Sequence, residues 1–247
     1  MFVFAYGVGA YVAFVLTALY TVGFLENSVV SRTIDHAVVT ERWFDALLSN
    51  TILVGFFALQ HTLMGRRVFR DAWARTLPES LERSTRVLVS SLFLTQVLLR
   101  WRPIPTELWS LELNPLGLLL EVLSIAGWAI AISGTFQIDH LALFGLGQTY
   151  AHSRGEEWEP ARFELPYLYR WVRHPIYFGL LVALWCAPVM TVGRVLLAGL
   201  VTLWFRILAR LEEEDLAREH REYRAYQARV PMLFPRTRPL RVKRRAG

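Results

Sequence analysis

Five apolar stretches, each fenced by charged segments, leave this chain very few ways to fold. They cover residues 2–25, about 44–64, about 85–99, about 116–138 and 176–208. A helix of about 20 apolar residues crosses the hydrocarbon layer with its own backbone groups paired, and that is the economical fate of such runs. The charges are not scattered as on a soluble surface but collected between the runs, although 19% of residues are charged and 54% are hydrophobic. The expected fold class is an all-α integral membrane protein of five to six transmembrane helices. The last run is too long for one helix of ordinary tilt; Pro188 and the Thr191-Val192-Gly193 turn divide it into a C-terminal helical hairpin, followed from Leu211 by a cytoplasmic amphipathic helix ending near Val230-Pro231.

The segment 65–86 is short and rich in arginine, which places it in the cytoplasm. Six spans then put both termini there; five spans with a re-entrant hairpin is the other arrangement. Trp101 and Trp109, among three prolines, read as an interfacial belt on the other side, and Arg194 and Arg206 as snorkelling residues. The first run lacks a basic leader and a cleavage signature, so it is expected to be retained. The 27 basic side chains are all arginine except Lys243, giving a net charge of +6. Much of that charge lies in one loop and the tail, which suits a rim facing anionic lipid of the bilayer and argues against nucleic acid. The single cysteine, Cys186, excludes an internal disulfide and offers no metal cluster. The length fits one membrane domain over 1–247: helices over 1–140 on the substrate side, a loop, hairpin and tail helix over 141–235, and a basic tail over 236–247, with the oligomeric state undetermined.

The chemistry concentrates in Arg173-His174-Pro175-Ile176-Tyr177-Phe178-Gly179 and in the run from Glu212 to Pro231. Pro175 suits the first position of a helix, where its missing N–H would be unpaired anyway. The N-terminus of that helix, with Arg173 and His174 beside it, makes an anion-binding corner. A hairpin brings Glu212, Glu213, Tyr223 and Tyr226 back to it. Such a pocket suits a ligand with a carboxylate, hydroxyls, a flat ring and a positive centre. Tyr177 can pack on such a ligand or anchor an interface. Gly179 permits close helix approach, and Tyr223 and Tyr226, three apart, share one helix face suited to ring stacking or to docking on the bundle.

The block Arg173-His174-Pro175-x-Tyr177-x-Gly179, Glu212-Glu213-x-x-Leu216, Tyr223-x-x-Tyr226 and Val230-Pro231 resembles the isoprenylcysteine carboxyl methyltransferase superfamily. Phe57-Ala58-Leu59-Gln60-His61, Glu82-Arg83-Ser84, Thr135-Phe136-x-Ile138-x-His140-x-x-Leu143-Phe144-Gly145-Leu146-x-Gln148 and Val230-Pro231-Met232-Leu233 look like its bacterial methanethiol S-methyltransferase branch. The chain departs from the superfamily in lacking a Phe-Gly pair before Tyr223. The resemblance implies methyl transfer from S-adenosylmethionine to a small thiol, methanethiol giving dimethyl sulfide, with hydrogen sulfide as an earlier acceptor. It also implies a bacterial inner-membrane location with the cofactor site facing the cytoplasm. Arg173, His174, Pro175, Tyr177, Gly179, Glu212, Glu213, Tyr223 and Tyr226 would then bind the cofactor.

Displacement at a sulfonium needs alignment, exclusion of water and loss of the acceptor's proton. A thiol is the weaker nucleophile and its thiolate the effective one, so a base or a positive field helps. His140 and His61 are the candidate bases, with Asp139 and Gln148 near the first; Gln60, Phe136 and Phe144 are candidates for the substrate side. The cofactor's own charge can also draw in a thiolate without a dedicated base. Two other readings stay open: a lipid or prenylcysteine acceptor, and a non-catalytic denitrification-linked membrane protein using His61 and His140.

Overall fold

The computed structural model describes residues 2–36, 42–73, 75, 77–159, 165–219 and 222–240. The basic tail beyond residue 240, including Lys243, lies outside them. The helices are α1 (Phe2–Leu25), α2 (Trp43–Gly65), α3 (Arg67–Trp73), α4 (Glu79–Arg100), α5 (Pro115–Ile138), α6 (His140–Leu143), α7 (Leu146–Ser153), α8 (Pro175–Trp185), α9 (Val192–Glu219) and α10 (Tyr223–Gln227). Two short strands, β1 (Glu107–Ser110) and β2 (Val189–Thr191), pair antiparallel. Four helices, α1, α2, α5 and α9, are long and apolar enough to cross a membrane. The protein is an all-α integral membrane protein.

Three elements differ from the sequence-based expectation. Helix α4 begins at Glu79 rather than near Thr85, so Glu82, Arg83 and Ser84 are helical and not in a loop. Pro78 precedes it, and Glu79 and Glu82 in its first turn favour the positive dipole end. Helix α9 continues unbroken through Leu211 to Glu219, so the glutamates ride on the hairpin's second arm instead of a separate helix. No Gly or Pro falls between residues 200 and 219 to stop it. The hairpin's first arm, α8, has only 11 residues, about 16 Å at 1.5 Å per residue, roughly half a bilayer core. Cys186–Pro188 and β2 complete the return without helix, because Pro188 supplies no N–H. The freed backbone is paired: Leu111 N–H donates to Pro188 O (3.0 Å) and Gly193 N–H to Ile104 O (3.0 Å).

The helices form a ring. Helix α1 packs on α4, α4 on α2, α2 on α9, α9 on α8 and α8 on α5, while α6 and α7 lead back to α1. The α5–α8 contact is backbone against backbone. A Cβ on Gly127 would stand 2.6 Å from Gly179 O, and one on Gly179 would stand 2.5 Å from Gly127 O. At one end the ring is filled by Phe24, Ile34, Val54, Val97, Leu98 and Trp101. Trp101, expected in an interfacial belt, is 1% exposed, and its indole N–H donates to Ile34 O at 3.0 Å. Arg194, expected to snorkel, instead donates from Nε to Asp35 Oδ2 at 2.7 Å and from Nη2 to Leu25 O at 2.7 Å. A buried cation is tolerated where it is paired and fully hydrogen-bonded, and this one fastens the hairpin tip to the α1–α2 connection. At the opposite end Arg66 donates to Leu211 O (3.1 Å) and pairs with Asp215 (3.1 Å), while Arg70 reaches Glu219 (3.7 Å). Asp215 is therefore ion-paired. The start of α1, the ends of α2 and α5, the start of α4 and the end of α9 gather here.

Candidate functional site

Pro175 opens α8, and the residue before a proline is held out of the helical region; His174 has φ −121°, ψ 70° and points off the helix axis. Its backbone N–H donates to Met232 O at 3.2 Å, and that of Arg173 donates to Pro231 O at 2.9 Å. The N–H groups of the two residues before Pro175 are thus taken by the chain after α10.

Across from this corner stand the two glutamates of α9. His174 Nε2 donates to Glu213 Oε1 at 3.0 Å, and Gln227 Nε2 donates to Glu213 Oε2 at 3.0 Å. Arg173 Nη1 lies 3.1 Å from the same Oε2, with both side chains buried. Yet Arg173 Nε and Nη1 have no acceptor in hydrogen-bond geometry among the described residues, and neither has the indole N–H of Trp171. Buried donors left open are costly, so this is where a ligand carboxylate or hydroxyl would find partners. Glu212 behaves differently. Tyr177 donates its hydroxyl to Glu212 Oε1 at 2.7 Å, His174 Nδ1 is 3.7 Å from Oε2, and the Glu212 side chain keeps 43% of its exposure. The His174 ring lies parallel to Tyr177 (centroids 5.2 Å apart), and Tyr177 stacks on Phe205 (4.5 Å).

Tyr223 and Tyr226 stand behind this corner, with ring centroids 5.6 Å apart. They are 3% and 5% exposed and pack with Val230, Leu165 and Leu216. The Tyr226 hydroxyl donates to Tyr169 O at 2.6 Å, fixing the chain after α10 across the start of α8. Burial pushes the phenols of Tyr169, Tyr223 and Tyr226 above their ordinary range. Gly179 faces Gly127 and Ala131 of α5.

The other expected residues form two further clusters at the same end. His61 shares a 3.2 Å hydrogen bond between Nδ1 and Ser90 Oγ, and its ring meets Trp204 edge-on at 5.5 Å. Trp204 lies 5.0 Å from Phe205, so aromatic contacts run from His61 to Tyr177. Gln60 donates to Met64 Sδ, and its Oε1 is buried without a partner among the described residues. His140 lies between α1 and α5. Its ring is stacked on Phe136 (4.2 Å, 6°) and meets Phe144 at 4.8 Å. Burial lowers the pKa of His140, against the opposing pull of Asp139. Asp139 caps α6 by accepting from Ala142 N–H at 3.0 Å, at a strained φ of 116° for a non-glycine. Gln148 donates to Ala142 O at 3.2 Å, and its Oε1 is buried and unpaired among the described residues.

Several partners escaped sequence reasoning. Phe205 was findable, since it lies seven residues before Glu212 and so on the same helix face. Trp171, Gln227, Ser90 and Trp204 carry no local signal; they enter only through contacts between distant segments.

No family model matches the chain, and no solved structure does. Among curated proteins it is 43% identical over 94% of its length to methanethiol S-methyltransferase 1 of Bradyrhizobium diazoefficiens, covering 81% of that protein. It is 40% identical over 95% of its length to the methanethiol S-methyltransferase of Crocosphaera subtropica, covering 92%. It is likewise 40% identical over 93% of its length to that of Mycobacterium tuberculosis, covering 94%. Likeness at this level along nearly the whole chain, over an all-helical membrane bundle, shows that the protein belongs to the methanethiol S-methyltransferase family.

Proposed function

We propose that the protein methylates methanethiol from S-adenosylmethionine, giving dimethyl sulfide, with hydrogen sulfide as an earlier acceptor in the same site. The observation that carries the reading is the corner in which Arg173, His174 and Tyr177 of one hairpin arm meet Glu212 and Glu213 of the other. Its donor set fits the cofactor. Arg173, whose buried Nε and Nη1 have no acceptor in hydrogen-bond geometry among the described residues, would take a carboxylate. Glu212, half exposed, would accept from ribose hydroxyls or the ammonium group, and Glu213 holds Arg173 and His174 in place. Tyr177 offers a flat face, Pro175 starts the helix that presents it, and Gly179 lets α8 press onto α5. Tyr223 and Tyr226 brace the corner from behind.

The bound cofactor supplies an electrophilic methyl group on a sulfonium, which needs an in-line nucleophile and little else. The chain must bring a small thiol to that line, keep water out and dispose of its proton. His140, with Phe136, Phe144, Asp139 and Gln148 around it, and His61 with Gln60 are the groups for this task. Both clusters sit at the end of the bundle that carries the cofactor corner. That end would face the cytoplasm of a bacterial inner membrane, because the arginine-rich 65–86 segment lies there.

Two measurements test the proposal. The purified protein in detergent should bind S-adenosylhomocysteine in calorimetry, and headspace gas chromatography should find dimethyl sulfide when methanethiol and S-adenosylmethionine are both supplied. Absence of binding would remove the reading. Binding without dimethyl sulfide would redirect it to a lipid or prenylcysteine acceptor.

A further inference from the structure

The hydroxyl contacts around His140 favour one tautomer. Thr135 Oγ1 donates its single proton to Ile132 O at 2.7 Å, a carbonyl that can only accept. The same Oγ1 lies 2.8 Å from His140 Nδ1, and with its proton on Ile132 O that contact runs the other way, with Nδ1–H donating. Nε2 of a neutral His140 is then bare. Tyr11, on α1 and 129 residues away in sequence, stands 2.8 Å from Nε2 and donates its hydroxyl proton to it. The basic lone pair of His140 is thus covered by a phenol.

The surroundings are aromatic. Tyr11 is 6.0 Å from the Phe144 ring and 6.2 Å from Phe14; Phe14 stacks on Phe144 at 3.9 Å. Among the described residues, the titratable groups facing the imidazole are Tyr11 from α1 and Asp139 from the α5–α6 junction. The dyad is also tied to the cofactor corner. Gly134, next to Thr135, lies against Ile176 of α8, two residues beyond His174, and its carbonyl accepts from the Tyr169 hydroxyl at 3.4 Å.

We infer that Tyr11 is a catalytic residue that relays the acceptor's proton to His140, with Thr135 as the positioning residue that holds the imidazole in the Nδ1–H tautomer. This rests on the methyltransferase reading above and names the proton path within it. The step balances. The thiol S–H bond breaks as its proton passes to the Tyr11 oxygen, and the phenol proton passes to His140 Nε2, leaving thiolate and imidazolium. The thiolate sulfur then bonds to the methyl carbon as the carbon–sulfonium bond breaks, and the imidazolium releases its proton to water. Burial, which disfavours the imidazolium, agrees with a base that is neutral at rest.

The test compares two acceptors in the full-length protein: methanethiol, and a fluorinated alkanethiol acidic enough to be ionised at the assay pH. With Tyr11→Phe, kcat/KM for methanethiol should fall about 100-fold, the scale of one proton-transfer group, while the ionised thiol changes less than about threefold. Thr135→Val should show the same selectivity more weakly. An equal loss for both thiols would mean that Tyr11 only braces α1 against α6, and no loss for either would mean that the proton leaves elsewhere; each overturns the relay. Calorimetry with S-adenosylhomocysteine on the same samples separates the two levels of inference. Wild-type protein that fails to bind it sinks the methyltransferase reading, whereas wild-type protein that binds and turns over while Tyr11→Phe is unselective sinks only the relay.

Discussion

His174 Nε2 lies 3.0 Å from Glu213 Oε1, joining the residue before α8 to one 39 positions later on α9. Glu213 is 3% exposed, and it also faces Arg173 and accepts from Gln227. One carboxylate thereby fixes the side chains of Arg173 and His174 and the helix that follows α9.

Glu213→Ala should therefore be costly twice. It strips the counter-charge from a buried guanidinium, an effect of about 3–5 kcal/mol. The melting temperature in detergent should fall by several degrees, and affinity for S-adenosylhomocysteine by more than tenfold. Wild-type melting together with wild-type affinity would show that this carboxylate organises nothing.

Tyr177→Phe removes only a hydroxyl that donates to Glu212 at 2.7 Å and keeps the stack between His174 and Phe205. A hydrogen bond to a charged group is worth about 1.5–3 kcal/mol, and the exposure of Glu212 pulls this one to the low end. The melting temperature in detergent should fall by a few degrees, and cofactor affinity should drop severalfold as Glu212 loses the bond that orients it. Titration calorimetry and a thermal scan read the two quantities independently.

At the other end of the bundle, Arg194→Met should destabilise by about 3–5 kcal/mol, because it leaves Asp35 buried without its cation. The residual folded protein should keep the KM of wild type. Replacing Asp35 by Leu in the same molecule should recover much of the lost stability, since a packed apolar pair often matches a buried ion pair. A large KM change in Arg194→Met would mean that the two ends are coupled.

Burial lowers the pKa of His140, so protonation is easier in the unfolded chain than in the folded one. The sign follows: stability is complete above the ordinary imidazole value and declines as pH falls below about 6.5. The acid limb of kcat/KM should lie below that value too. Melting curves from pH 5 to 8 should show a shallower acid decline in His140→Gln than in wild type. Parallel curves would remove His140 from the titration.

Gly179→Ala should abolish folding or force α8 off α5, since the new Cβ would meet the backbone of Ala131 and Gly127 at 2.5 Å. Gly199, in α9, has open space around its Cβ position. Gly199→Ala should be neutral or stabilising by about 0.5–1 kcal/mol, as removing a glycine from a helix interior generally is. Yields of monodisperse protein from the two variants provide the comparison.

Sequence alone determined what depends on neighbours along the chain. The lengths of the apolar runs set α1, α2 and α5, because the bilayer demands locally paired backbone over a fixed thickness. Pro175 marked the start of α8, and Pro188 with Gly193 marked the hairpin turn. The same local logic misjudged Trp101 and Arg194. Their composition is that of surface anchors, and only the chain packed around them made one a core residue and the other a buried clasp. Tertiary structure also decided the proton path and the corner's donors. Tyr11 meets His140 across 129 residues, and Pro231 takes the N–H of Arg173, contacts with no periodic trace because their geometry exists only once the ring of helices closes.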